Sequence, residues 1–433
     1  MSKTETNTHP ARGIESAYAW RRLAASVLLM GLGGSGMWGV TVVLPLIQAE
    51  FGVSRSAASL PYTATMVGFC LGGLMMGRLS DRFGVMLPVL GGGLCLGLGL
   101  VAAGAAQTLL QFTLAQGLLI GFLGGSATFG PLVADISHWF TRRRGIAVAI
   151  CISGNYVAGA FWPPVLQHFF DSVGWRTAYM GAGVFCVLAL LPLVLVLRQR
   201  APVGHAEAET AASAADAQHS IAIAAGTFRP LGLHPVMLQS LLVAAAVTCC
   251  MAMSMPQVHI VAYCGDLGFA AARGAEMLAL MLGFGIVSRI GSGWIADRIG
   301  ALRTLLLGSV LQAVALALYL PAEGLASLYT ASILFGLFQG GIVPMYPLLV
   351  RDYFPASQAG TRVGMVLMAT IFGMALGGWM SGAIFDLTGS YRAAFINGIA
   401  WNVVNIAIAL ELLRRSVKLG RMASAGGALK SPA

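Results

Sequence analysis

Charge is scarce in this sequence. Aspartate, glutamate, lysine and arginine make up 10% of its 433 residues, against about a quarter in an ordinary soluble domain. With 57% hydrophobic residues and a mean hydropathy of +0.80, that shortage excludes a soluble globule and defines a polytopic membrane protein. Lysine is almost absent: Lys3, Lys418 and Lys430 are the only ones, and none lies in an apolar run. The seven cysteines (Cys70, Cys95, Cys151, Cys186, Cys249, Cys250 and Cys264) show neither CxxC spacing nor neighbouring metal ligands, so they are read as space-filling thiols. Neither a phosphate loop, nor G-x-S-x-G, nor a cluster of Ser/His, paired acids or metal ligands occurs. No enzymatic activity, cofactor or metal is therefore expected. Basic runs interleaved with aromatics are also missing, which argues against a nucleic-acid partner despite a formal net charge of +10. Met1 to Arg22 holds no short apolar region with a small-residue cleavage site and reads as a cytoplasmic tail.

What is present is a series of apolar runs of membrane-spanning length, at about 23–47, 58–79, 86–106, 109–134, 146–168, 177–197, 234–262, 275–296, 302–320, 325–349, 362–385 and 393–413. Short loops rich in Lys and Arg stay cytoplasmic. With both termini inside, 21 of the 26 Lys and Arg fall on the cytoplasmic side, Arg55, Arg176, Arg273 and Arg392 on the other, and Arg289 within the membrane. Residues 198–232, rich in Ala, Ser and acids, read as a cytoplasmic linker. The expected division is a tail at 1–22, a six-helix bundle at 23–197, the linker, a second bundle at 233–413 and a cytoplasmic tail at 414–433.

Arg289 is the exceptional residue. It lies eight residues inside the polar end at Asp297, about 12 Å at helical rise, in a hydrocarbon core roughly 30 Å thick. Holding a guanidinium there costs about 2.5–3.5 kcal/mol on insertion scales, so it is expected to face a cavity or a partner. The default reading is an anion site.

An internal repeat supports the two halves. Gly77-Arg-Leu-Ser-Asp81-Arg82-Phe-Gly84 and Gly293-Trp-Ile-Ala-Asp297-Arg298-Ile-Gly300 stand 216 residues apart, as do Arg176 and Arg392. This G-x-x-x-D-R-x-G turn after the second and eighth of twelve spans resembles the signature of the major facilitator superfamily. The glycines are expected to permit close helix approach, and the Asp and Arg to pair across the cytoplasmic face. In that family the motif is a conformational latch of the outward-facing state. Trp139-Phe140-Thr-Arg142-Arg143-Arg144-Gly145 with Gly154, Gly159 and Trp162-Pro163-Pro164 is similar to monocarboxylate-porter-like and oxalate/formate-type members. So is His259-Ile-Val-Ala-Tyr263-Cys-Gly-Asp266-Leu-Gly268, followed by Ser288-Arg289. The resemblance implies that Arg289 binds a substrate carboxylate.

Two departures narrow the reading. The animal monocarboxylate carriers look to have an Asp one turn before this arginine, where this chain has Gly285. Oxalate-type antiporters resemble a two-cation design with a lysine in span eleven, which is missing here. A substrate with one carboxylate follows, held through paired charge-assisted hydrogen bonds. Proton coupling would use His259, whose side chain titrates near working pH, or Asp266; a backbone-bonded histidine and a solvated loop acid are the plain alternatives. Asn155 and Tyr156 in span five, Trp38 and Thr41 in span one, and Tyr346 and Gln339 in span ten are candidates to line the cavity or simply to link helices. Asp135 is expected to pair with Arg142–Arg144.

The expected fold is an all-α membrane protein of the major facilitator type, with twelve transmembrane helices in two pseudo-symmetric six-helix bundles. The resemblance implies secondary active transport of a small organic anion, a monocarboxylate with a proton, by alternating access. Anion exchange of the oxalate/formate type, or a drug-type facilitator, are the rivals. Expected partners are the carboxylate substrate, protons and the lipid bilayer, with the chain monomeric in a bacterial inner membrane.

Overall fold

Hydrocarbon offers no partner to a bare peptide group, so a membrane chain of this composition is driven to satisfy its backbone within helices. The computed structural model describes residues 15–140, 143–199 and 229–428, and among them no strand occurs. The first span is α1 (Ala17–Gly33) and α2 (Ser35–Phe51), followed by α3 (Arg55–Phe83) and α4 (Met86–Ala105). The fourth span comprises α5 (Leu109–Leu114), a π-helical stretch (Ala115–Gly125) and α6 (Gly130–Trp139), and α7 (Arg144–Val173) and α8 (Trp175–Leu195) close the first half. The second half holds α9 (Pro235–Asp266), α10 (Ala271–Ile299), α11 (Ala301–Leu318), α12 (Leu325–Gln339), α13 (Met345–Tyr353), α14 (Ala356–Thr388) and α15 (Tyr391–Ala428). Eleven of the resulting segments are long and apolar enough to cross a membrane. The run expected at 325–349 is split into α12 and α13, because Gly340, Gly341 and Pro344 release the helix between them.

That break has a counterpart in the first half. Gly124-Gly125 and Gly340-Gly341 stand 216 residues apart, as do Pro131 and Pro347, and the fourth span also opens there, at Thr128 and Phe129. The interruption is therefore duplicated along with the loop motif. Glycine is required for a different reason at the ends of α3 and α10: Gly84 and Gly300 stop these helices at φ of +82° and +88°, where a Cβ would be strained.

The halves meet through two equivalent contacts, α3 along α14 and α7 along α10, with α2 touching α9. Small residues set the closeness. A Cβ at Gly382 would lie 2.9 Å from the Arg55 carbonyl oxygen, and one at Gly378 would lie 3.1 Å from the Tyr62 ring. Gly373 and Gly377, on the same helix, meet the backbone of α9. Both chain ends of the described bundle lie on one face, which also carries the motif loops; we call it the basic face.

Some sequence expectations differ on that face. Asp135 is paired with Arg22, through Nε to Oδ2 at 2.7 Å and Nη2 to Oδ1 at 2.8 Å. Arg22 is completely buried, its remaining donors go to Tyr18 and to the Val196 and Gln199 carbonyls, and it lies over the Trp139 ring. A buried arginine needs a carboxylate on it, and α1 brings Arg22 within reach of Asp135; Arg142 lies outside the described residues. Gly77 and Gly293 have nothing within 4 Å of a built Cβ, so neither serves close helix packing in this state. The linker from 200 to 228 and the tails 1–14 and 429–433 also lie outside the described residues.

Candidate functional site

Three helices meet beside Gly285, one turn before Arg289. α10 carries it one turn after Gly285, α7 brings Tyr156 from the opposite half, and α12 brings Gln339. α12 lies tight against α10 because Gly336 and Gly340 face the Met281 and Gly285 carbonyls; added Cβ atoms would stand 2.0 and 2.4 Å from those oxygens. Ser288 fixes the break after α12 by accepting the Gly341 N–H at 3.0 Å.

The Arg289 guanidinium carbon lies 3.7 Å from the centroid of the Tyr156 ring. Gly285 makes this possible. A Cβ there would be 2.4 and 2.7 Å from the ring carbons Cε1 and Cδ1 of Tyr156, so any larger side chain would displace the ring. Where the resembling carriers have an acid, this chain sets an aromatic face from the other half. Such a face supplies about 0.5–2 kcal/mol, less than the insertion cost of the arginine, and it leaves the N–H donors free. Arg289 Nε is buried without a hydrogen-bond partner, and no ion pair to Arg289 exists among the described residues. The result is a half-buried cation with open donors, built from both halves.

Other expected residues fall in different places. Asn155 accepts the Trp38 indole N–H at its carbonyl, 3.1 Å away, and lines a small cavity with Met30, Gly34, Thr65 and Phe129. Trp38 packs beside Gly159 and Leu282, one turn from Tyr156 and Gly285. Thr41 turns its hydroxyl to the Trp38 carbonyl. Tyr346 is buried within the second half, where its hydroxyl bonds Asn405 Oδ1 at 3.3 Å and Asn405 in turn bonds Ser309. It is thus part of a polar link among α11, α13 and α15.

His259 and Asp266 belong to a second constellation, at the face opposite the motif loops. Arg55 at the start of α3 donates from Nη2 to Asp266 and from Nη1 to the Tyr391 hydroxyl at 2.8 Å. Tyr391 lies 2.9 Å from His259 Nδ1, and His259 Nε2 lies 2.8 Å from the Gly378 carbonyl. A carbonyl only accepts, so Nε2 carries the proton and Nδ1 accepts from Tyr391. The Asp386 carboxylate of α14 accepts the first backbone N–H groups of α3, from Arg55 and Ser56, each at 2.8 Å. Two carboxylates of the second half therefore hold the helix start and the arginine of the first. The sequence reading counted Arg55 only as one of the few charges of that face and did not single out Asp386; the signal that could have found them was a cation and two acids on the face that has few charges.

At the basic face the motif residues are disengaged. Asp81, Arg82, Asp297 and Arg298 are exposed, Arg82 lies over Phe83 and Arg298 over Trp294 of their own helices, and none makes an ion pair between halves among the described residues. The molecule is clasped at one face and unlatched at the other.

Two six-span halves related by an internal repeat, with a charged site between them and a clasp at one face, are the architecture of two-bundle membrane transporters. A sequence model of the Major Facilitator Superfamily matches residues 26–326 and 277–430, and the chain belongs to that superfamily. Among its relatives it is similar to monocarboxylate transporters: it is 28% identical to monocarboxylate transporter 13 of Bos taurus over 400 residues, covering 87% of this chain and 90% of the relative. It is also 28% identical to monocarboxylate transporter 11 of Mus musculus, covering 89% and 86%. In fold it is similar to a bacterial homologue of the human lysosomal transporter Spinster in an inward-facing and occupied conformation, with a TM-score of 0.72 at 16% identity, covering 93% of this chain and 98% of that one. The peptide transporter POT in complex with sulfate gives the same score at 14% identity, covering 93% and 95%.

Proposed function

We propose that this transporter carries a small carboxylate together with a proton, binding the carboxylate at Arg289. The carrying observation is that Arg289 is held between the halves on an aromatic face with no acid and a free buried donor. A carboxylate fits this cation because it accepts two parallel N–H bonds from one guanidinium. Its arrival also neutralises the charge, which lowers the cost of closing a low-dielectric cavity around it. The similarity to monocarboxylate transporters 13 and 11 supports the substrate class. With the arginine-rich face cytoplasmic in a bacterial inner membrane, the clasped face is external and the unlatched face is cytoplasmic.

The proton's place is the clasp. His259 is buried and faces Tyr391, the Gly378 carbonyl, Arg55 and Asp386. Protonation at Nδ1 turns the acceptor of the Tyr391 hydroxyl into a donor and sets a second cation near Arg55. The clasp then loosens toward the external side, so proton entry and external opening coincide. Anion exchange is the second reading, favoured by Gly285 standing where an acid would neighbour Arg289.

The test is acidification inside proteoliposomes loaded with a pH dye, on adding monocarboxylates. Wild type acidifies the lumen; Arg289→Ala and Arg289→Lys, which loses the bidentate fork, insert normally and do not. His259→Gln retains counterflow of labelled substrate but loses its pH dependence. Normal acidification by Arg289→Ala overturns the site, and exchange without acidification makes the second reading the function.

A further inference from the structure

The repeat that relates the halves extends to the clasped face, where one position breaks it. Glu50-Phe-Gly52 and Asp266-Leu-Gly268 stand 216 residues apart, as do Trp175-Arg176 and Tyr391-Arg392. Gly52 and Gly268 turn the chain alike after α2 and α9, at φ of +61° and +81°. Where α3 begins with Arg55, however, its counterpart at the start of α10 is Ala271. In the first half the acid is served from within its own bundle. Glu50 accepts the Trp175 indole N–H at 2.6 Å, and Arg176 donates to it from Nη2 at 2.6 Å and from Nε at 3.1 Å. Arg176 reaches on to the Gly104 and Ala106 carbonyls. The second half uses the same positions differently. Asp266 and the Tyr391 hydroxyl both go to Arg55 of the other half. Arg392, exposed beside Tyr391, makes no ion pair among the described residues.

We infer that Asp266 changes partner during transport: Arg55 holds it while the clasped face is closed, and Arg392, the repeat equivalent of Arg176, takes it when that face opens. This rests on the clasped face opening in the transport cycle, as proposed above, and not on which substrate Arg289 binds. An acid in the last turn of a helix opposes the helix dipole, so Glu50 at the end of α2 and Asp266 at the end of α9 each need a cation in every state. Glu50 has one in its own bundle, and parting of the halves leaves that pair intact. Asp266 has its cation from α3, which departs when the halves separate. A broken ion pair strands its carboxylate, whereas one handed to a second guanidinium costs less, and two states of similar free energy can then both be populated. The unpaired Arg392 is the residue placed to receive it.

The experiment uses the full-length transporter carrying Ser56→Cys in lipid nanodiscs, where reagent reaches both faces, and measures the rate of maleimide labelling on the peptide that contains position 56. Arg392→Ala is expected to slow labelling roughly two- to fivefold, the range of a partly exposed ion pair, because the open state loses its partner for Asp266. Arg392→Lys, which keeps the charge, is expected to slow it less. Arg55→Ala speeds labelling, and adding Arg392→Ala to it returns the rate toward that of the unmodified clasp. In an Asp266→Asn background Arg392→Ala is expected to change nothing, which separates loss of this pair from a general effect on folding. Arg392→Gln serves the same comparison where the alanine variant does not purify. Equal slowing with and without Asp266→Asn overturns the exchange, and so does an unchanged rate when Asp266 is present. If Arg55→Ala and Asp266→Asn both label at the starting rate, the clasped face does not open by releasing this bond, and the proposed role of the clasp falls with the exchange.

Discussion

At the scale of single residues, the site is defined by a missing side chain. Gly285 admits the Tyr156 ring to within contact of Arg289, which exchanges an ionic neighbour for an aromatic one and keeps the guanidinium charged and available. Tyr156 acts through its ring, so Tyr156→Phe is expected to transport normally. Tyr156→Leu should raise the half-saturating concentration roughly 5- to 30-fold, the equivalent of about 1–2 kcal/mol of cation–π attraction, with maximal rate little changed. Substrate titrations of the two variants check this, and equal behaviour would mean that the ring only fills space. Arg289 was legible in the sequence because one cation in an apolar span stands out. The ring on it was not: Tyr156 and Gly285 are 129 residues apart, and only the packing of α7 on α10 joins them. Tyr346 looked equivalent to Tyr156 by residue type and span, yet its hydroxyl serves the interior of the second half.

Among the elements, α14 is the one on which the halves close. Its glycines face α9 at Gly373 and Gly377, and α3 at Gly378 and Gly382. Gly382→Val places two methyl groups against the Arg55 and Ser56 backbone and is expected to hold the clasped face apart. A cysteine introduced at half-buried Ser56 should then react with an impermeant maleimide from the clasped side much faster than it does with Gly382 intact, while transport falls. The helices themselves were legible from apolar length and the halves from the 216-residue repeat. The interruptions between α5 and α6, and between α12 and α13, were hidden because glycine and proline are tolerated in membrane helices, and apolar length alone does not say where such a helix opens.

For the whole molecule, the clasp and the latch lie at opposite faces, and only the clasp is engaged. Its strength should set which face is open. Arg55→Ala removes the bonds to Asp266 and Tyr391 together and is expected to shift the resting population toward opening at the clasped face, read as labelling of the same Ser56 cysteine from that face and a loss of net transport with exchange retained. One half of this clasp was legible, since Asp266 stood out at the end of α9, but its partner is 211 residues away. The Asp386 contact has a consequence of its own. The amides it accepts are the first of α3, groups that every helix must satisfy somehow, and Ser54 already takes the Ala57 N–H from within the segment. When the halves part, Ser54 and water are left to serve the whole helix start. A helix cap worth about 1 kcal/mol thus becomes a weight on the conformational equilibrium, roughly a fivefold change in population, and Ser54→Ala should bias the transporter toward the state closed at the clasped face without touching substrate, proton or either half's core.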